Sequence, residues 1–295
     1  TGPVRTVLWD ARSRSEWTAE IETTDVVINL AGRSVNCRYT PKNRAAILNS
    51  RVDSTRILAQ AIAQAKNPPR VWLQSSTATI YAHRFDAPND DLTGQLGGSE
   101  PDAPESWRFS IEVACAWEAA AQEVSLPRTR LVLLRSSMVM SPDSGGIFAT
   151  LLRLVRLGLG GTAADGRQYV SWIHEIDFIN AIYHLIQIDL SGPVNLSAPE
   201  PRTNADFMRI LRNAWGRRFG LPANRLMLEL GAFFLRTETE LILKSRRVVP
   251  TRLLESGFLF SFPTWPEAAD DLCRRMRTRS RNGESPVPTS SLPIS

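Results

Sequence analysis

Between residues 25 and 134 the chain alternates short apolar, β-branched runs with long stretches of helix formers. The runs are Asp25–Leu30 (DVVINL), Arg70–Ser75 (RVWLQS) and Thr129–Leu134 (TRLVLL). They lack the in–out alternation of a strand with one wet face, so they read as strands buried on both faces, the mark of a parallel sheet. Pro41–Ala65 and Ser106–Ser125 read as helices. In the first, Ile47, Val52, Leu58 and Ile62 recur near the helical period, and Pro68-Pro69 ends it. Strand, helix, strand, helix, strand predicts an α/β fold with a doubly wound parallel sheet.

Outside that block the pattern is looser. Val4–Trp9 reads as a further short strand and His83–Pro104, rich in Asp, Gly and Pro, as a loop. Gly145–Leu159 holds a helix, Tyr169–His174 a strand, and Asp177 stands where an N-cap is expected ahead of a helix over Phe178–Gln187. Pro193–Leu196 is another strand, and Thr203 or Asn204 caps a helix running to about Arg212. Leu226–Pro266 reads as a mixed, smaller unit. Trp9, Trp72 and Trp117 are expected core aromatics, and His174, in an alternating strand, a buried hydrogen-bonded histidine.

Charge and cysteine usage narrow the partners. Five arginines between 274 and 281, set against Glu284, supply four of the five net positive charges. Rich in Ser, Pro and Arg and without apolar period, 274–295 reads as a disordered basic tail, and nucleic acid is not an expected partner. No apolar run reaches the roughly 18 residues a bilayer demands, so no membrane partner is expected. Cys37, Cys115 and Cys273 form no CxxC, which predicts a reduced, cytoplasmic protein with no metal site. The chain has no P-loop, HExxH or GxSxG. Gly158, Gly160 and Ala163 fit G-x-G-x-x-A but follow a helix, whereas a dinucleotide fingerprint follows a strand and opens a helix.

Six segments in order carry a resemblance: VINLAG (27–32), SSTATIY (75–81), the helix ending in Trp117-Glu118, LRSSMVMSPDSGG (134–146), WIHEIDFINAI (172–182) and GPVNLSAPEP (192–201). With RRVVPTRLLESGFLFSFPTWPEA (246–268), they resemble the extended short-chain dehydrogenase/reductase superfamily. More narrowly, they resemble its nucleoside-diphosphate-sugar epimerase-like subfamily with a C-terminal domain of unknown function. The resemblance implies a Rossmann-like NAD(P)-binding epimerase/dehydratase domain over 1–190, a C-terminal α+β lobe over 191–273 that includes the appended domain at 226–270, and the tail. It implies NAD or NADP as cofactor, with NADP favoured, and a small or nucleotide-linked substrate. Asn29, Leu30, Ala31 and Gly32 would lie beside the adenosine ribose. Arg51, Ser136, Ser137 and Met138 would lie on the nicotinamide side, and Ser75 and Ser76 would border the cofactor at the carboxyl end of their strand. Thr77 matches the family's catalytic Ser/Thr, and Arg135 reads as structural. The bland alternatives stay open: SST is ordinary turn chemistry, and an exposed helical arginine needs no ligand.

Two departures qualify that reading. The superfamily's Tyr-x-x-x-Lys, in which lysine lowers the tyrosine pKa, occurs nowhere; Asn43, Phe85, Ile173 and Gln187 follow the four tyrosines at that spacing. Ser110 and Ala114 stand in the dyad's positions, so Ser110 is the catalytic candidate there by place alone. The glycine-rich pyrophosphate turn expected on a first strand is also absent. Val4–Trp9 resembles the family's third strand, so the sequence is expected to be an N-terminally truncated Rossmann-like fold, with Asp25–Leu30 at a sheet edge and NAD(P) bound weakly or not at all. The expected function is an NAD(P)-dependent oxidoreductase or nucleotide-sugar epimerase-like protein. The rival is a catalytically inactive NAD(P)-binding sensor or scaffold.

Overall fold

The computed structural model describes residues 4–100, 104–143, 145–223 and 243–281. Among the described residues eight strands run in chain order as β1 (Val26–Asn29), β2 (Val71–Thr77), β3 (Arg130–Ser136), β4 (Met138–Met140), β5 (Tyr169–Val170), β6 (Trp172–His174), β7 (Gly192–Leu196) and β8 (Arg202–Thr203). The described helices are α1 (Pro41–Gln64), α2 (Glu105–Gln122), α3 (Ile147–Arg156), α4 (Glu175–Gln187), α5 (Asn204–Trp215), α6 (Thr251–Glu255) and α7 (Trp265–Arg281). The main sheet has the order β1-β2-β3-β7, all parallel.

The two faces of β2 and β3 are read off by parity. Trp72 and Leu133 bury into one cluster with Ile57, Leu58 and Ile62 of α1 and Ala121 of α2. Val71, Leu73, Val132 and Leu134 bury into another with Ala181 and Leu185 of α4 and Leu253 of α6. Helices thus cover both faces, which is why these runs are apolar throughout. A third cluster joins Phe148 and Leu152 of α3, Phe207 and Leu211 of α5, and Trp265 and Leu272 of α7.

β1 departs from the expected double burial. It pairs only with β2 and sits at the sheet edge, as expected from the resemblance; Ile28 is 44% and Leu30 63% exposed. Val4–Trp9 is not a strand: with no ladder partner, Val4 and Leu8 stay exposed, and half-exposed Trp9 packs edge-on against Trp17 instead of entering the core. β7, expected in the C-terminal lobe, belongs to the main sheet because Val194 and its neighbours pair with β3. Asp177 is not the cap of α4. His174 is, its Nδ1 accepting from Ile176 N, while buried Asp177 accepts from Ser261 N and Phe262 N. His174 is buried as expected and stacks on Phe262.

The tail expectation also needs correction over 274–281, which continues α7. Tertiary contacts pin it: Arg275 pairs with Glu175, Arg277 donates to Ala214 O (2.8 Å) and Arg279 to Asp143 (2.8 Å). The rest of the tail, and residues 226–242 of the smaller unit, lie outside the described residues. What is described of that unit is stitched into the sheet domain. Val248 bridges to Asn89, and the buried Lys244 amine donates to Thr79 O (2.7 Å).

Candidate functional site

Parallel register gathers the carboxyl ends of β1, β2 and β3 at one edge: Asn29 faces Gln74, and Thr77 faces Ser136. Open α/β sheets bind ligands at that edge. Here a cavity of about 160 Å³ opens between β2, α1 and α2. Thr77 and Thr79 reach it from the end of β2, Arg51 from α1, Ser110 and Trp117 from α2, and Tyr39 from the residue before the Thr40 cap of α1. A wider open hollow of about 740 Å³ lies at the opposite edge, among Arg70, Arg130 and Gly192 at the strand starts, away from all these groups.

Three of the expected site residues, Thr77, Ser110 and Arg51, therefore share one cavity. The Thr77 hydroxyl accepts from Thr79 N (3.2 Å), which fixes it as the chain leaves the strand. The Ser110 hydroxyl lies 3.4 Å from the Tyr39 phenol oxygen. The Arg51 guanidinium lies 5.0 Å from the Trp117 ring centre and donates to Arg33 O (3.0 Å) and Ile47 O (3.2 Å). Burial pushes its pKa below the ordinary arginine value. Trp117 is itself held by its indole N–H on Thr55 (3.0 Å). Ala114 lines the same cavity.

The other expected residues fall around the cavity rather than in it. Buried Asn29 donates to Gln74 (2.9 Å), and its Oδ1 accepts from Ala31 N (3.0 Å), shaping the exit through Leu30, Ala31 and Gly32. A Cβ on Gly32 would come within 3.2 Å of the Arg51 guanidinium carbon, so glycine permits that close approach. Ser75 accepts at its carbonyl from the Gln74 amide (2.9 Å). Ser76 points to the opposite face from Thr77, and its hydroxyl is used on Glu118 (2.6 Å). Ser136 bonds back to Leu134 O (3.3 Å), and Met138 packs toward the third core cluster. Buried Ser137 Oγ has no hydrogen-bond partner, an orphaned donor at the end of β3.

Arg135 is structural, as expected. It grips Glu118 through two nitrogens (2.9 and 2.8 Å) and donates to the Tyr81 hydroxyl (2.9 Å), which donates to Asn195 (2.8 Å). Burial works against the Arg135 charge, yet Glu118 outweighs it and holds the guanidinium above its ordinary pKa. Cys115 is a half-buried thiol pushed up by burial, away from reactivity. Tyr39 is the site residue that reading the sequence missed. A search for tyrosine on α2 passes over it, and its only local signal is its place beside the Thr40-Pro41 helix start.

The residues at the strand ends present groups that could border a dinucleotide: an orphaned Ser137 hydroxyl, the Gly32 backbone and a hydroxyl-lined cavity share one edge. Residues 3–196 match the NAD dependent epimerase/dehydratase family, and residues 225–272 match a domain of unknown function. The human epimerase family protein SDR39U1 is 31% identical over 268 residues, covering 89% of this chain and 85% of that protein. An epimerase family protein of Staphylococcus epidermidis is 31% identical over 263 residues, covering 89% and 84%. The crystal structure of human SDR39U1 (isoform 2) with NADPH superposes with a TM-score of 0.75 at 30% identity, covering 87% of this chain and 86% of that one. A nucleoside-diphosphate sugar epimerase from Corynebacterium glutamicum shares the fold (TM-score 0.68, 24% identity, 95% of this chain and 54% of that one). With a family match over well more than half its length and relatives above 30% identity, the chain belongs to the NAD dependent epimerase/dehydratase family.

Proposed function

We propose that this chain is an NAD(P)-dependent oxidoreductase or epimerase-like enzyme that binds a small or nucleotide-linked substrate in the cavity of Thr77, Ser110 and Arg51. The observation that carries this reading is the convergence of those residues, distant in sequence, on one cavity at the carboxyl edge of the sheet. The NADPH in the human relative's structure supports a nicotinamide cofactor, NADP in particular. Asn29 to Gly32, Ser75, Ser76 and Ser136 to Met138 would border it, Ser76 through its backbone only. When bound, the nicotinamide supplies hydride acceptance or donation.

The chain's own groups handle orientation and the proton. Thr77 Oγ holds the substrate's reacting oxygen. A threonine hydroxyl ionises far above neutrality and is not itself the base. The Tyr39 and Ser110 hydroxyls, 3.4 Å apart, offer a path by which a bound water carries the proton to solvent. Without a lysine beside the tyrosine, turnover is modest, because a well-placed general base is worth about 10² to 10⁴-fold. Ala114 in the cavity wall, where the lysine would stand, favours the second reading, a cofactor sensor without turnover.

The test has two parts. NADPH and NADH are titrated into the protein and followed by calorimetry. Reduced-cofactor consumption is then measured at 340 nm against ketone and nucleoside-diphosphate-sugar panels. Saturable binding, with Thr77→Ala losing most turnover and Ser110→Ala little, is expected. Binding without any turnover selects the sensor. No saturable binding of either nucleotide up to millimolar concentration refutes both readings. A loss on Ser110→Ala with Thr77→Ala intact refutes the assignment of Thr77.

A further inference from the structure

We infer that the cavity selects a substrate carrying a carboxylate or phosphate within a few bonds of its reacting carbon, and that Arg51 is the residue that holds this anion. The inference rests on the cavity being the substrate site. Arg51 is a half-buried cation whose hydrogen bonds go to two backbone carbonyls, of Arg33 and Ile47. Both bonds leave from the same terminal nitrogen, so the other terminal nitrogen and Nε are left for a bidentate partner. Among the described residues no carboxylate pairs with it, and no Asp or Glu lines the cavity. The neighbouring cations are committed differently: Arg44 pairs with Glu105 and covers Phe109, and Arg33 donates to Asn43. A desolvated charge without a counter-ion is costly, and the cost is recovered when an anion arrives.

The surrounding charge points the same way. From Val26 to Val52 the chain carries Arg33, Arg38, Lys42, Arg44 and Arg51 and no Asp or Glu. This segment contains the exit of β1, the Tyr39 loop and the first half of α1, so, apart from Arg44, which Glu105 pairs, the charges along this side of the cavity are basic and favour an anion. The remaining polar lining, from Thr77, Thr79, Ser110 and Tyr39, is hydroxyl only and suits a neutral carbonyl or alcohol. A volume of about 160 Å³ holds roughly five waters' worth of ligand, so an anion on Arg51 and an oxygen on Thr77 belong to one small head group. Three- and four-carbon hydroxy or oxo acids and short phosphate esters have that form. In a larger substrate the remainder would project outward.

Lactate, inorganic phosphate and the neutral amide lactamide are titrated into the unmodified protein, followed by calorimetry and by tryptophan emission, since Trp117 lies against Arg51. Lactate or phosphate is expected to bind at least about tenfold more tightly than lactamide, the scale of a charge-assisted pair. Arg51→Gln should abolish the difference and Arg51→Lys should restore part of it. Equal affinity for lactate and lactamide, or no binding of any of the three, overturns the inference, and this arm does not depend on a variant folding. NADPH and NADH are titrated alongside. If Arg51→Gln weakens NADPH alone and leaves lactate and phosphate unchanged, the anion is a cofactor phosphate and the substrate inference fails while the functional reading stands. If neither nucleotide binds while lactate still discriminates, the anion site stands and the oxidoreductase reading fails.

Discussion

Replacing Glu118 by leucine would leave Arg135 buried without its counter-charge. Arg135 is 7% and Glu118 8% exposed, and two nitrogens of the guanidinium meet two oxygens of the carboxylate at 2.9 and 2.8 Å. Glu118 also accepts from Ser76 (2.6 Å), one residue before Thr77, so the loss reaches the strand end that presents the candidate catalytic hydroxyl. Breaking one side of a buried pair costs about 3–5 kcal/mol, against a typical domain stability of about 5–15 kcal/mol. Glu118→Leu and Arg135→Met should each fall in that range. Arg135→Met also takes one partner from the Tyr81 hydroxyl, which keeps Asn195. The double variant removes both charges together and should lose no more than either single one, a coupling of roughly 3 kcal/mol. Urea unfolding followed by tryptophan fluorescence measures this, with midpoints of the single variants lowered by about 1 M or more. An additive double variant, or single losses below about 1 kcal/mol, would refute the view that this pair is a mutually dependent buried unit.

Three further outcomes are expected. Asp177→Ala frees the Ser261 and Phe262 amides it accepts from at 2.7 and 2.9 Å, and should cost about 2 kcal/mol in the same unfolding assay; an unchanged midpoint would contradict the assignment. Thr203→Ala removes the cap whose hydroxyl accepts from Asp206 N (3.3 Å) and should cost about 1 kcal/mol, with Thr203→Ser close to neutral. His83 accepts at Nδ1 from Ser245 N (2.7 Å), and burial, then Lys244, holds its pKa below the ordinary histidine value. The folded protein therefore binds this proton less readily than the unfolded chain. Stability is full above about pH 6.5 and falls as pH drops from there through the folded-state value, a slope that His83→Gln should reduce and that thermal melts between pH 5 and 8 would show.

The core of the fold was legible because its signals are local. β2, β3, α1 and α2 stand within three residues of where apolar runs and helix stops put them, since covered strands must be apolar throughout and Pro68-Pro69 must end a helix. Two of the misplacements share one cause: a partner far along the chain decided the structure. Asp177 looks like a cap, but its carboxylate is needed by residues 261 and 262, and His174 takes the capping position instead. Residues 274–281 have a tail's composition, yet Glu175, Ala214 and Asp143 hold them in a helix. The cavity follows the same rule. Thr77 could be placed by its match to the family's catalytic Ser/Thr at the carboxyl end of a parallel strand, where open α/β sheets bind ligands. Arg51 and Ser110 could be placed by resemblance, but neither carries a local sign of chemistry. Tyr39 could not be found at all, because its phenol meets Ser110 across 71 positions and only the packing of α1 on α2 brings them together. The missing dyad was plain in the sequence as an absence. What the structure adds is its surroundings: where the resemblance would place a lysine amine beside a tyrosine, the cavity offers four hydroxyls and one arginine without an acid. Those groups can orient an oxygen and hold an anion more readily than they can remove a proton. The chemistry of this site is therefore expected to depend on how tightly the substrate is fixed rather than on a strong base.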